Sequence, residues 1–111
     1  RLHPDIAPIS IAILPLSRNE KLVPTARQVH ELLRSDWITQ YDDSQSIGRR
    51  YRRQDEIGTP FCITVDFETI ENDSSVTIRD RDSMSQIRVP IDNIQTVIRE
   101  RLNELRKEFS E

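Results

Sequence analysis

The segment of this chain with the clearest capacity for chemistry is RRYRR at residues 49–53, in which arginines flank one tyrosine. Guanidinium groups pair bidentately with phosphates and base edges, and a tyrosine ring can stack on an unpaired base. On a helix these side chains point around much of the circumference, so at least one arginine pair must face away from the core. The pattern predicts either a nucleic-acid contact or a solvated face balanced by Asp55 and Glu56.

A second charged motif alternates in sign, because Arg79, Asp80, Arg81 and Asp82 follow one another in a segment of strand character. With a strand period of two, the arginines share one face and the aspartates share the other. Two carboxylates two residues apart could bind a divalent cation, but the sequence shows no pocket, nucleophile or further ligand beside them. We therefore favour ion pairs between neighbouring strands over a metal site.

No other pattern in the chain predicts catalysis or a metal site. The turn after the first apolar run, at residues 17–19, lacks the glycines of a phosphate-binding loop. His3 and His30 are too far apart for a metal-ligand spacing, and Cys62 stands in an apolar strand as a core residue. We expect no catalytic residue, metal or bound cofactor in this chain.

Composition bounds the class of protein further. The 111 residues suit one domain, and their formal net charge is −3. A protein that coats nucleic acid through bulk charge is usually basic, so any basic surface here must be local. The longest apolar run, residues 11–16, is too short to span a bilayer, and no secretory signal is visible. The single cysteine fits a reducing compartment, which predicts a protein of the cytoplasm, with an organelle as a further location left open.

Helical and strand periods place these motifs on regular elements. Three helices are predicted: one from residue 22, one at residues 47–57 that Gly58 closes, and a last one that Asp92 caps and whose apolar face includes Phe109. RRYRR thus falls on the second helix. Strands are predicted at residues 9–16, 38–43, 61–67, 76–82 and 86–91, and a turn at residues 71–74.

The resulting order is β-α-β-α-β-β-β-α. Strands joined by helical crossovers run parallel, whereas the third and fourth strands form a hairpin, so the sheet is mixed. The predicted fold is one three-layer α/β domain at residues 9–111, with a five-stranded mixed sheet and helices on both faces, after an extended lead-in at residues 1–8. Because the chain begins with Arg1 and its only methionine is Met84, we expect a piece of a longer protein.

Six motifs along the chain belong together: ILPLS at 13–17, DDS and SIGRRY at 42–51, DEIGTPF at 55–61, TVDFET at 64–69 and IRDRDSMSQIR at 78–88. Together they resemble the C-terminal anticodon-binding domain of class II glycyl-tRNA synthetases of the archaeal and eukaryotic type. The resemblance runs from about residue 9 to residue 102, and the related histidyl, threonyl and prolyl domains keep the fold but differ at these motifs. It implies the five-stranded mixed sheet that the element order predicts.

The resemblance implies tRNA recognition without catalysis in this segment. In the family, a separate catalytic domain N-terminal to this module charges glycine tRNA with glycine, which implies ATP and magnesium as cofactors of that domain. The module holds the anticodon loop, whose second and third anticodon bases are cytosine for every glycine codon, and reads their unstacked edges. The family also implies a homodimer formed through the catalytic domain, with no membrane partner.

A cytosine edge offers one amino donor and two acceptors, so its reader needs a carboxylate or carbonyl beside a guanidinium. We expect Arg79 and one of Arg49 or Arg50 to donate to cytosine. Asp55 or Asp82 would accept from the amino group.

The neighbouring side chains complete the hypothesis. Arg52 and Arg53 would meet phosphates, and Phe61 or Tyr51 would supply a stacking surface. The full set of candidate anticodon-binding residues is Arg49, Arg50, Tyr51, Arg52, Arg53, Asp55, Glu56, Phe61, Arg79, Arg81 and Asp82.

Three alternatives stay open from the sequence. The same fold serves DNA and protein contacts in the accessory subunit of the mitochondrial DNA polymerase, so a preference for duplex DNA over an RNA loop would favour that role. A protein-interaction module that docks through its last helix is a second alternative, which a tight dimer of this chain would support. A flavodoxin-like cofactor carrier ranks last because the phosphate loop is missing.

Overall fold

The structure is a computed structural model that describes residues 10–110, with side chains described through residue 108. The predicted lead-in at residues 1–8 and the predicted apolar contact of Phe109 lie outside this part. The order of strands and long helices is the predicted one, and two short helical turns are added. The bounds are β1 Ile11–Pro15, α1 Val23–Arg34, β2 Thr39–Tyr41, α2 Ile47–Ile57, β3 Phe61–Val65, β4 Ser75–Asp80, β5 Gln86–Pro90 and α3 Ile94–Ser110.

The strands form one sheet in the order β2-β1-β3-β4-β5. β1 pairs in parallel with β2 and β3, as the helical crossovers through α1 and α2 predict. β3 pairs antiparallel with β4, and β4 pairs antiparallel with β5. The predicted five-stranded mixed sheet is confirmed, and β2 and β5 are its two edges.

All five strands end one or two residues earlier than predicted, and at β2 and β4 an aspartate accounts for the end. After β2, the Asp42 carboxylate accepts hydrogen bonds from the backbone N–H and the hydroxyl of Ser44. At the end of β4, the Asp80 carboxylate accepts from the backbone N–H groups of Asp82 and Ser83. An aspartate that captures backbone donors in this way turns the chain out of the ladder. The predicted turn at residues 71–74 overlaps a π-helical turn, Thr69–Asp73.

α1 and α3 cover one face of the sheet, and α2 covers part of the other. Because side chains alternate along each strand, Ala12, Leu14 and Cys62 form the small layer beneath α2, against Ile47 and Tyr51 of the helix. The strand residues whose side chains point to the other face form the main core with α1 and α3. Its buried members are Ile11, Ile13, Ala26, Val29, Leu33, Phe61, Ile63, Val65, Val76, Ile78, Val89, Ile94, Ile98, Leu102 and Leu105.

The face beneath α2 changes character from one half of the sheet to the other. Strand register continues the Leu14 row through Thr64 and Thr77 to Arg88. These β4 and β5 residues are polar and α2 does not bury them, because Thr77 is half-buried and Arg88 is exposed. This half of the face is therefore available to a ligand.

Local signals set both ends of α2, and its predicted bounds are confirmed. At the start, the Ser46 hydroxyl accepts from the backbone N–H of Arg49 at 3.3 Å. At the end, Gly58 adopts the left-handed conformation with φ 92° and donates its N–H to the carbonyl oxygens of Gln54 and Asp55.

Replacing Gly58 with alanine should lower the free energy of unfolding by about 1 kcal/mol, because a Cβ is strained at positive φ. The matched control is Gly48→Ala in the first turn of the same helix, where a Cβ would meet no atom within 4 Å. That control should leave stability unchanged or raise it, because alanine favours helix. Urea unfolding measures both variants, and equal stability for the two would contradict the role assigned to Gly58.

Candidate nucleic-acid interface

α2 divides the RRYRR motif between the protein interior and the solvent. Arg50 is buried, Tyr51 and Arg53 are half-buried, and Arg49 and Arg52 are exposed. The expectation that at least one arginine pair faces away from the core is therefore confirmed. The three inward members have specific partners, and these partners decide which candidate residues remain available to RNA.

Arg50 ties α2 to the ends of two strands. Its terminal nitrogens donate to the carbonyl oxygens of Pro15, Leu16 and Asp42, the last two at 3.1 Å. The side chain is 1% exposed. Burial lowers the pKa of Arg50, although the acidic groups of Asp42 and Asp43 act in the opposite direction. Arg50 helps to line a cavity at the start of α2, but its terminal nitrogens are committed to these backbone carbonyls. Of the two candidates Arg49 and Arg50, only Arg49 therefore has an exposed and unpaired guanidinium for the predicted cytosine contact.

Arg53 is held by the loop between β2 and α2. Its Nη1 lies 2.5 Å from Asp42 Oδ2 and 3.0 Å from Ser44 Oγ, and its Nη2 donates to Gln45 Oε1 at 2.9 Å. Burial acts to raise the pKa of Asp42, but the hydrogen bonds from Ser44 and the Arg53 guanidinium outweigh it and hold that pKa below its usual value. Arg53 therefore stabilises the loop between β2 and α2, and a phosphate could bind its guanidinium only in competition with Asp42.

Arg79, Asp55, Tyr51 and Met84 meet at the carboxyl-terminal end of α2, and we call this set the Arg79 platform. Arg79 donates to both carboxylate oxygens of Asp55, at 2.9 and 3.1 Å. Its guanidinium carbon lies 4.8 Å from the centre of the Tyr51 ring, and Met84 Sδ lies 3.2 Å from Arg79 Nη2. The hydrogen bonds to Asp55 raise the pKa of Arg79. The structure thus brings together a guanidinium and a carboxylate that the sequence hypothesis assigned to cytosine. The Arg79 side chain is 9% exposed and that of Asp55 is 33% exposed, so Asp55 is the more accessible member of the pair.

The two predicted stacking residues lie on opposite faces of the sheet. Phe61 has no exposed surface and packs in the main core with α1 and α3. It cannot stack on a base, so of the two predicted alternatives only Tyr51 remains. Tyr51 is half-buried on the α2 face, where its hydroxyl shares a hydrogen bond with Thr64 Oγ1. Burial raises the pKa of Tyr51, which keeps the phenol neutral.

The alternating charged motif does not continue as a strand. β4 ends at Asp80, so Arg81 and Asp82 lie in the turn that follows, and the expected two-faced arrangement is wrong beyond that point. Arg81 Nε donates to the carbonyl oxygen of Asp55 at 3.1 Å, and Arg81 Nη1 lies 3.2 Å from Asp82 Oδ1. Arg79 does not pair with a neighbouring strand as expected, because its ion-pair partner is Asp55 on α2. Within residues 10–108, no group of three or more acidic, histidine or cysteine side chains could hold a metal ion.

Sequence reasoning missed a cavity of about 460 Å³ where β1 and β2 end and α2 begins. Arg18 and Asp43 line it, with Arg18 Nε 3.1 Å from the carbonyl oxygen and 3.8 Å from Oδ1 of Asp43. Their side chains are 68% and 33% exposed, so both can meet a ligand. Ligands of open α/β sheets bind at the carboxyl ends of the strands. This rule, applied to the predicted topology, could have found the cavity.

Sequence reasoning also missed Arg88 on the uncovered half of the sheet. Its guanidinium donates to the carboxylates of Asp66 and Asp73, to Thr77 Oγ1 and to the carbonyl oxygen of Ser75. These four contacts tie β5 to β4 and to the segment that precedes β4. The alternation of side chains along β5 could have predicted that Arg88 lies on the same face as Arg79. It could not have predicted which residues Arg88 contacts.

Arg49, Arg52 and Glu56 form the outward side of α2 and are exposed. Neither guanidinium has a hydrogen-bond or ion-pair partner among the residues that the structure describes. The 11 residues of α2 extend about 16 Å, from the cavity beside Arg18 to the Arg79 platform. The two unpaired guanidinium groups thus lie along a ridge between two guanidinium–carboxylate pairs.

Arg50→Met should lower the free energy of unfolding by about 3 kcal/mol, because it leaves buried carbonyl oxygens without donors. Arg52→Met removes the same charge from the same helix at an exposed position, and should change stability by less than about 0.5 kcal/mol. Urea unfolding at pH 7 compares the two variants. Equal losses would show that Arg50 has no special structural role.

The lowered pKa of Asp42 makes stability depend on pH. Its contribution is present above the ordinary value of 3.8 and is lost as the pH falls through the lower pKa of the folded state. The stability difference between the wild type and Asp42→Asn should therefore be largest near pH 6 and shrink towards pH 3. Urea midpoints across this range provide the measurement, and a difference that does not change with pH would contradict the assignment.

Comparison with known proteins places the chain among tRNA-related domains. Residues 10–101 match the family described as the anticodon binding domain. Over 102 residues the chain is 56% identical to a glycine–tRNA ligase from Thermobifida fusca, covering 92% of this chain and 22% of that protein. It is 57% identical over 100 residues to one from Clostridium kluyveri, covering 90% and 21%. The chain therefore spans about a fifth of the length of these curated relatives.

Both relatives are named glycine–tRNA ligase, which agrees with the glycyl-type resemblance of the motifs. A solved prolyl-tRNA synthetase from Cryptosporidium parvum has the same fold, with a TM-score of 0.88 and 24% identity, over 96% of this chain and 23% of that chain. No helix in residues 10–110 is long and apolar enough to cross a membrane. The family match covers most of the sequence and the fold agrees with it: the chain belongs to the anticodon binding domain family.

Proposed function

We propose that this chain is the part of a glycine–tRNA ligase that holds the anticodon loop of glycine tRNA and reads its two adjacent cytosines. The observation that carries the proposal is the family match over residues 10–101, and relatives named glycine–tRNA ligase support the choice of amino acid. In this proposal the chain contributes RNA binding.

The proposal assigns the reaction to a separate catalytic domain outside this chain. That domain charges the tRNA with glycine, using ATP and magnesium, and joins two subunits into a homodimer in the cytoplasm. The anticodon-binding domain then raises the affinity for glycine tRNA over other tRNAs, because each correct base edge adds binding that a wrong base loses.

Two guanidinium–carboxylate pairs suit the two cytosines. A cytosine edge presents an amino donor beside acceptors, which an aspartate and an arginine match together. The exposed Arg18–Asp43 pair borders the cavity at the start of α2, and the Arg79–Asp55 pair lies at the end of the same helix. We assign one cytosine to each pair.

The ridge between these pairs suits the RNA backbone. Arg49 and Arg52 are exposed cations without protein partners in residues 10–108, and phosphates attract such groups without regard to base sequence. This local cluster explains how a chain of net charge −3 can bind RNA. The proposal therefore separates base-reading residues at the two ends of α2 from phosphate-binding residues between them.

Titration with two anticodon stem-loops tests this separation. One loop carries the glycine anticodon, and in the other both cytosines are uridine. Arg18→Gln should weaken binding of the cytosine loop by about 1–3 kcal/mol and affect the uridine loop less. Arg52→Gln should weaken both loops alike and lower the slope of log affinity against log salt by about 1. Fluorescence anisotropy at several salt concentrations measures both effects.

The matched control is Arg34→Gln on α1, which removes an arginine of similar exposure that pairs with Glu31. It should leave both affinities unchanged. If Arg18→Gln lowered the affinity for both loops equally, the cavity would not be a base-reading site. A wild-type chain that binds both loops equally, or neither, would overturn the proposed function itself.

A further inference from the structure

Met84 occupies an unusual position in the turn between β4 and β5. Its side chain is 60% exposed, although methionine is hydrophobic. Its backbone adopts φ 60°, one of three positive values at non-glycine residues in the described part of the chain. Strained backbone and exposed apolar surface at one residue are features that cluster at functional sites.

The turn itself does not require this side chain. The backbone N–H of Met84 donates to the carbonyl oxygen of Asp80 at 2.9 Å, and a glycine would keep that hydrogen bond at lower strain. The exposed side chain also adds little to the core. The reason for a methionine here must therefore be sought in what its side chain contacts.

The side chain of Met84 lies against the Arg79 platform. Its sulfur is 3.2 Å from Arg79 Nη2, and the same guanidinium lies over the Tyr51 ring. Methionine is unbranched and polarisable, so it adapts to flat aromatic surfaces. The platform thus combines a polar pair, Arg79 and Asp55, with an exposed apolar group next to it.

We propose that Met84 packs against the face of the unstacked base whose edge meets Arg79 and Asp55. The inference rests on the proposed function, which supplies an anticodon loop as the ligand. The polar pair reads the base edge, whereas the thioether excludes water from one side of the ring. Met84 thereby acts as a positioning residue that holds the base flat against its reader.

This contact makes RNA binding sensitive to oxidation. Hydrogen peroxide transfers one oxygen atom to Sδ: the O–O bond breaks, an S–O bond forms, the sulfur loses two electrons and the second oxygen leaves as water. The polar sulfoxide no longer offers an apolar surface to a base. Met84 is the only methionine in the chain, so a sulfoxide can form at no other residue. Cys62 is 2% exposed, and burial raises its thiol pKa to about 12, which protects it from peroxide.

The test measures affinity for the cytosine stem-loop with the reduced chain, the peroxide-treated chain and three variants. Met84→Gln and the sulfoxide should each lower affinity by roughly twofold to tenfold. Met84→Leu keeps an apolar side chain and should lose less than Met84→Gln. Ile38→Gln is the matched control, because Ile38 is 65% exposed just before β2, at the opposite edge of the sheet. It should bind like the wild type.

The outcomes separate the two proposals. Preference of the reduced wild type for the cytosine loop, together with unchanged affinity for Met84→Gln and for the oxidised chain, would overturn the role of Met84 alone. A reduced wild type without that preference would remove the proposed function and this inference with it. Thermal unfolding verifies that each variant is folded, as we expect for substitutions at exposed positions. Mass spectrometry verifies that peroxide adds one oxygen atom to the chain.

Discussion

The Arg50 guanidinium is the interaction on which the arrangement of this domain depends. It joins the end of β1, the residue after β2 and the inner side of α2 through three backbone carbonyl oxygens. These carbonyls lie where strands stop pairing, so without the guanidinium they would be buried and unsatisfied. The same contact fixes the rotation of α2 about its axis. That rotation turns Arg49 and Arg52 to solvent and Tyr51 towards β3 and β4.

The second constraint is that α2 is the only long helix on its face of the five-stranded sheet in residues 10–110, and it covers only part of that face. α2 packs on β1 and β3, and the polar row continues beyond it through Thr77 to Arg88. Arginines at the border lose part of their hydration, and carboxylates compensate for that loss. Arg79 with Asp55 and Arg88 with Asp66 are such pairs. Structural ion pairing and a surface suited to base edges thus have the same origin in this fold.

The fold could be predicted from local patterns to a greater extent than the candidate site could. The bounds of α2 follow from Ser46 and Gly58, which act through their own backbone neighbourhood. The strand directions follow from the helical crossovers and the hairpin connection. Helical period indicated that part of RRYRR faces inward, but it could not single out Arg50. The partners Arg79 and Asp55 are 24 residues apart, and they meet only because α2 docks on β3 beside β4. The misassignment of Phe61 has a similar cause, because an apolar strand buried on both faces does not reveal which face a residue occupies.

The two edges of the sheet matter for aggregation while a polypeptide is being synthesised. β2 offers only three residues to a further strand, and β5 carries Arg88 and ends in Pro90, which has no N–H to donate. Both edges are poor templates for the addition of foreign strands. In relatives this domain makes up about 22% of the polypeptide, so it folds beside much longer segments. Blunt edges limit fibril-like stacking with those segments during synthesis.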